Sequence, residues 1–392
     1  MSVKARRLER SQGPSGVARL IRLLPGVVAA ALIMVLALPL AGWIGGWLLR
    51  LQGVDPESAS SPVSGVPVAI LLGILARNLL PLPQSLNPGI QFARKAVLQL
   101  GIVLVGIKLS LLEVVRLGLW GIPIVAVCIA AGLVLVIGFN TRLGLPFRLG
   151  TLIAAGTGIC GVTAIVSVAP AIEADEKEVA YAVANVTLFG LIGMLAYPYL
   201  APLLFDTPEQ VGLWLGVAVH DTSQVVGAAL TYREVFGDDT AFQVATVTKL
   251  TRNLFLIAVI PLLSLYYFRS GKGAARRSGA RLRLSQLVPT FILGFLLMAL
   301  LRTLGDATAA AGGAAFGLWS LETWSSLVAA LGDVWGAKYL LGTALAAVGL
   351  GTHFSVFRGV GFKPFLVGLV GAVLVGVVGM IMVFSLGGLV RL

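Results

Sequence analysis

Five consecutive polar side chains, His220-Asp221-Thr222-Ser223-Gln224, interrupt the otherwise apolar run 210–232. A charged group inside a membrane span costs at least ~2.5 kcal/mol, so this stretch must face a hydrated interior and not lipid. Asp221 can hold a cation or a proton, His220 titrates near neutral pH, and Thr222 and Ser223 offer hydroxyls. Lys249 and Arg252, with Asn253 beside them, lie three residues apart in the run 240–268 and share one helical face. Two cations against Asp221 leave a surplus positive charge, which suits an anion. The competing readings are that Asp221 only neutralises Lys249 or Arg252, and that the cations snorkel to an interface.

A third group is Gly156-Thr157-Gly158-Ile159-Cys160-Gly161-Val162-Thr163. Three glycines in six residues, each weakening a helix by about 1 kcal/mol, predict a helix interrupted at membrane depth. Backbone unwound there must line a polar cavity, because lipid satisfies no donor or acceptor. The expected partner is Gly349-Leu350-Gly351-Thr352-His353. Two such interrupted helices crossing near the midplane would aim positive N-terminal ends at one anion. Glycine used only for close helix packing is the competing reading of both motifs. Asn185 and Thr187 are further uncharged candidates.

The elements that position these groups follow from composition. Hydrophobic residues make up 58% of the chain, charged residues 12%, and mean hydropathy is +0.96, which excludes a water-soluble core of this length. Continuous apolar runs exclude an alternating β-barrel and predict an all-α polytopic protein bound in the lipid bilayer. About eleven spans are expected, at 25–49, 63–80, 94–112, 118–138, 147–170, 178–204, 210–232, 240–268, 286–304, 322–352 and 364–388. The net charge of +12 resides in basic residues beside the spans, a topology signal that argues against nucleic-acid binding. With the basic tail 1–24 inside, Arg77, Arg94, Lys95, Arg142, Arg148, the Arg269–Arg283 cluster, Arg358 and Lys363 fall on the cytoplasmic side, and the C-terminus outside. Glu173, Asp175, Glu176 and Glu178 are then expected outside. Lys108 and Glu113 are expected to pair on the membrane surface. Helix 25–49 is too long for a signal-peptide core. Cys128 and Cys160 suggest neither a disulfide framework nor a metal site. No phosphate-binding loop, nucleophile elbow or zinc motif is present, so no enzyme, ATP-driven pump or cofactor is expected.

Leu149–Cys160 (LGTLIAAGTGIC) and Leu341–Thr352 (LGTALAAVGLGT) are alike, and Lys108-Leu109-Ser110 can be set against Lys249-Leu250-Thr251. This predicts one extra N-terminal helix, 25–49, followed by two five-helix repeats of inverted topology, 63–204 and 210–388.

GTGICGVTAI at 156–165, AVHDTSQVVGAA at 218–229 and TVTKLTRNL at 246–254 resemble the marks of the YeiH-type family named for sulfate export, long catalogued as conserved hypothetical membrane proteins. The resemblance covers nearly all of the chain from about residue 63. It departs at Gly158, where serine is more usual, and at Val162, where a smaller residue is common. The family is grouped with the cation/proton antiporter and bile-acid transporter superfamily, which implies inverted repeats with broken, crossing helices. The implied activity is secondary export of a sulfate- or sulfite-like anion across a bacterial cytoplasmic membrane, with a proton or sodium ion as coupling partner. Gly156–Thr163, His220, Lys249 and Arg252 would form the site. Related folds often dimerise. The alternatives are a sodium or proton antiporter using Asp221, and a membrane sensor or scaffold that transports nothing.

Overall fold

The computed structural model describes residues 16–57, 59, 61–269, 289–357 and 361–390. The basic tail up to residue 15, most of the 269–285 cluster, Arg358 and Arg391 lie outside the described residues. The described chain is almost entirely helical: α1 (Gly16–Leu51), α2 (Gly65–Leu79), α3 (Gln84–Lys108), α4 (Leu111–Arg142), α5 (Phe147–Gly158), α6 (Val162–Ile172), α7 (Glu176–Leu204), α8 (Pro208–Ala218), α9 (Thr222–Phe236), α10 (Asp239–Arg269), α11 (Thr290–Gly312), α12 (321–350) and α13 (Phe362–Leu389). Seven of these, α1, α3, α4, α7, α10, α11 and α13, are long and apolar enough to cross a bilayer. The only strands among the described residues are a two-residue pair, Ala314–Ala315 and Trp319–Ser320.

Side-chain caps set the helix starts. Ser110 and Glu113 form a reciprocal capping box on α4, and Asp175 with Glu178 does the same on α7. Thr207 caps α8, and Asp238 caps α10 through the N–H groups of Thr240 and Ala241. Glu113 is thus occupied with its own helix end and does not pair with Lys108.

α5 and α6 are the two arms of a hairpin that leaves by the end it came from. At the start of α5, Arg148 pairs with Glu178 at 3.2 Å and donates to the Glu173 carbonyl at 2.7 Å. At the end of α6, the Ala171 carbonyl accepts from Ser264 Oγ, while Phe147 stacks on Tyr267 and meets Tyr266 at a tilt, both in the same stretch of α10. α5 therefore runs parallel to α7 and antiparallel to α6, with Gly156 pressed against Ile165 and Val186. This corrects the placement of Glu173, Asp175, Glu176 and Glu178, which lie at the same end of the molecule as Arg148.

α8 and α9 make a second hairpin from the opposite end. Gly212 of α8 abuts Ala241 of α10, and Gly216 abuts Ala245 and Thr248, so α8 and α10 run in parallel. α9 returns through the left-handed Gly237 into the Asp238 cap, leaving Arg233 3.2 Å from Asp239. Of the eleven helical segments expected, these two, 147–170 and 210–232, fold back as hairpins and meet tip to tip. The second interruption thus lies at Val219–Asp221 and not at Gly349–Gly351. There α12 stays wound through Leu350, and Gly349 lets it approach the Ile70 carbonyl of α2, where an added Cβ would stand 2.2 Å away. Close packing, not unwinding, explains that glycine.

The hairpin-plus-helix units 147–204 and 208–269 follow one another with opposite direction. Each five-helix stretch expected from sequence, 63–204 and 210–388, contains one hairpin. The two units carry matching segments, Val183-Ala184-Asn185-Val186-Thr187 in α7 and Val244-Ala245-Thr246-Val247-Thr248 in α10.

Candidate functional site

The tips of the hairpins touch. Gly161 has φ +70° and ψ −131°, and a Cβ there would stand 2.7–2.9 Å from the side chain and Cα of Asp221. Glycine is required on both counts. α5 and α8 each end at the tips, so their last carbonyls have no intrahelical partners and carry negative partial charge. α6 and α9 begin there and present the positive ends.

Lys249 and Arg252 reach across from the middle of α10 and satisfy the carbonyl ends. Lys249 Nζ donates to the carbonyls of Ile159 (3.0 Å), Val219 (3.3 Å) and His220. Arg252 Nε donates to Gly158 (2.8 Å), Nη1 to Val217 (2.8 Å) and Val219 (3.1 Å), and Nη2 to Thr157. The two residues are 1% and 0% exposed, and neither has a carboxylate partner within ion-pair distance among the described residues. The expectation that they line the site is corrected: their donors are spent on tying the tips together, behind the surface a ligand would meet. His220 is buried beside them, with both ring nitrogens lacking a hydrogen-bond partner, and does not line the cavity.

On the other face of the tips lies a cavity of about 680 Å³. Cys160, Val162 and Thr163 line it from the start of α6, and Asp221, Thr222, Ser223 and Gln224 from the start of α9. Thr187 of α7, Asn253 of α10 and Gln91, Arg94, Lys95 and Gln99 of α3 add to its polar wall, with Ser167 of α6 and Thr290 of α11. Asp221 caps α9: Oδ1 accepts from the Ser223 N–H (3.0 Å) and Oγ (2.7 Å), while the Asp221 N–H donates to Gln224 Oε1 at 3.1 Å. Gln224 Nε2 in turn holds the Thr187 carbonyl at 3.1 Å. The Asn253 amide lies 3.4 Å from Thr222 Oγ1, and its Oδ1 is buried without a partner. The wall thus combines hydroxyls, amides, two helix N-termini, the cations Arg94 and Lys95, and one carboxylate.

Of the residues singled out in the sequence, Cys160, Thr163, Asp221, Thr222, Ser223 and Asn253 are brought together in this cavity, and Gly161 makes the tip contact. Gly156 is a packing glycine, and Thr157 bonds the Ile153 carbonyl of its own helix at 2.9 Å. An added Cβ at Gly158 meets nothing closer than the Ile129 carbonyl at 3.8 Å, so a serine there fits but would face α4 instead of the cavity. Asn185 bonds the Tyr181 carbonyl and packs on Gly368 of α13, outside the cavity that its neighbour Thr187 lines. Gly351, Thr352 and His353 stand at the end of α12. There the Thr352 carbonyl accepts from Asn78, and the exposed His353 ring accepts from the Ser355 N–H. Sequence reasoning does not single out Arg94 or Gln224 as site residues. For Gln224 a signal exists: Asp221 followed three residues later by Gln224 is a capping-box pattern, which marks a helix starting at Thr222 and hence the break before it.

An all-α membrane protein with two opposed hairpins meeting at a polar cavity belongs to the polytopic class that the residue pattern implied. The profile of the family described as Conserved hypothetical protein 698 matches residues 25–368, and the chain belongs to that family. Relatives carry the name UPF0324 membrane protein. One from Streptococcus pyogenes is 33% identical over 94% of this chain and 98% of its own, one from Bacillus cereus is 32% identical over 82% and 86%, and one from Corynebacterium glutamicum is 34% identical over 78% and 81%. A solved sodium proton antiporter from Methanocaldococcus jannaschii aligns over 94% of this chain and 98% of its own at 15% identity, with a TM-score of 0.24. That score is too low to carry an argument.

Proposed function

We propose that this chain is a secondary carrier of a small anion of the sulfate or sulfite kind, working by alternating access. The observation that supports this reading is the polarity of the hairpin tips. Both present helix N-termini and hydroxyl side chains to one cavity, while Lys249 and Arg252 sit just behind them without a carboxylate. Anions are favoured at such termini by about 0.3–1 kcal/mol each at exposed sites and by more where water is scarce. On this reading the cavity opens to the cytoplasm, because Arg77, Arg94, Lys95, Arg142, Arg148 and Arg269 gather at that end.

A cation carrier would rely on Asp221, the one carboxylate in the cavity wall, and half of that carboxylate is committed to Ser223. Uptake of radiolabelled sulfate and sulfite into proteoliposomes tests the proposal, with sodium and proton flux measured in parallel. Anion uptake above empty vesicles supports it. Sodium or proton exchange with no anion movement would replace it by the antiporter reading, and no movement of any of these would leave the sensor reading. Repeating the uptake with an imposed pH gradient tests proton coupling through Asp221 or His220.

A further inference from the structure

The cations at the hairpins and the ends of this molecule are mostly spent on internal partners. Lys249 and Arg252 serve carbonyls, Lys108 and Arg233 share Asp239 and Asp333, and Arg148 holds Glu178. Arg94 and Lys95 differ: both line the cavity, and neither makes a hydrogen bond or ion pair with any described residue. Lys95 is exposed, whereas the Arg94 guanidinium is half-buried in the wall. Asp221, across the cavity, is the charge that acts on it. Gly351 at the end of α12 leaves room for it: a Cβ at 351 would stand 2.5 Å from Arg94 Nη1 and 2.8 Å from Cδ, so a larger residue there would push the side chain aside.

A guanidinium kept unpaired in a partly enclosed site costs free energy unless a ligand takes it up. Its planar fork suits two oxygens on one atom and gives a spherical halide no comparable pair of bonds. α3 belongs to neither hairpin, so a ligand held by Arg94 and by the tips at once would join the two parts of the molecule. We infer that Arg94 is the ion-pair partner of an oxyanion bound against Thr163, Thr222 and Ser223, and that Asp221 is its counter-charge while the site is empty. This rests on the anion-carrier reading and adds to it a residue and a selectivity for oxyanions over halides.

The test is the thermal unfolding of detergent-purified protein against sodium sulfate at constant ionic strength, balanced with choline chloride. Wild-type protein should be stabilised by sulfate and not by the balancing chloride. Arg94→Ala should unfold at the wild-type temperature without sulfate, since no internal bond is lost, but need about tenfold or more sulfate for half the shift. Arg94→Lys, which keeps the charge and loses the fork, should fall between them. Gly351→Val, which pushes the guanidinium out of place, should weaken sulfate binding in the same direction. Asp221→Asn, by removing the competitor, should tighten it. Equal sulfate dependence of wild type, Arg94→Ala and Arg94→Lys overturns the inference while leaving the carrier reading intact. Absence of any stabilisation of wild type by sulfate, sulfite or phosphate removes the carrier reading itself. If Arg94→Ala does not purify, Arg94→Lys alone decides: wild-type affinity in that variant is fatal to the fork.

Discussion

The middle of α3 and its C-terminal end make an instructive pair. Lys108, at one end, lies 2.5 Å from Asp239 and 2.9 Å from Asp333, and Arg233 joins the same two carboxylates at 3.2 Å. Arg94, fourteen residues earlier and roughly 21 Å along a helix, faces a cavity and has no such partner. The first end is closed by charges drawn from α3, α9, α10 and α12, reinforced where Glu234 accepts from Ser64 Oγ (2.6 Å) and the Gly65 N–H (3.0 Å). Around Arg94 the fold instead leaves a cavity. One helix thus carries a cation satisfied within the fold and a cation left for something outside it, and no local property of the sequence separates them.

If transport alternates between the ends, the closed one must open. The largest expected effect therefore comes from holding it shut. Cysteines at 108 and 333, in a chain with Cys128 and Cys160 replaced, should support flux when reduced. They should lose it entirely once joined by a short bifunctional thiol reagent, and undiminished flux after cross-linking would show that this end never opens. Next comes the joint between the tips. Arg252→Met strands the carbonyls of Thr157, Gly158 and Val217 and should destabilise the protein by about 3–5 kcal/mol, read as a large fall in melting temperature. No measurable fall would mean water replaces the guanidinium without cost. Gly161→Ala forces a side chain into a left-handed position against Asp221 and should cost about 1–3 kcal/mol, with loss of flux at any temperature the protein survives. At the small end, Asp333→Asn removes ion pairs whose side chains are 18–32% exposed, so stability should change by less than about 1 kcal/mol. Any effect of that variant on flux then reports the balance between open and closed states, not unfolding.

Much of the site is legible in the amino-acid sequence. The run His220–Gln224 and the glycines at 156, 158 and 161 mark polar or unwound features at membrane depth, and the hairpin tips lie at these places. The expected second interruption at Gly349–Gly351 fails because close packing and unwinding both call for glycine, and similarity with 149–160 does not distinguish them. Lys249 and Arg252 lie in the interior as their central positions require, but the charge pattern points to ligand contact. Their actual partners are main-chain carbonyls 29 to 95 residues away, which side-chain chemistry gives no means of choosing. The paired segments at 183–187 and 244–248 are the stronger sign of the local repeat.

By itself the sequence determined that this chain lives in a bilayer, that its helices are interrupted near the middle, and that polar groups collect at the interruptions. Those are consequences of hydropathy and helix propensity, which act residue by residue. Only the tertiary structure decided that the two interrupted segments turn back, because two short apolar arms and one spanning helix have the same apolar length. It also decided which of the described cations are consumed internally and which face the cavity, since a charge is neutralised by whatever the fold places beside it.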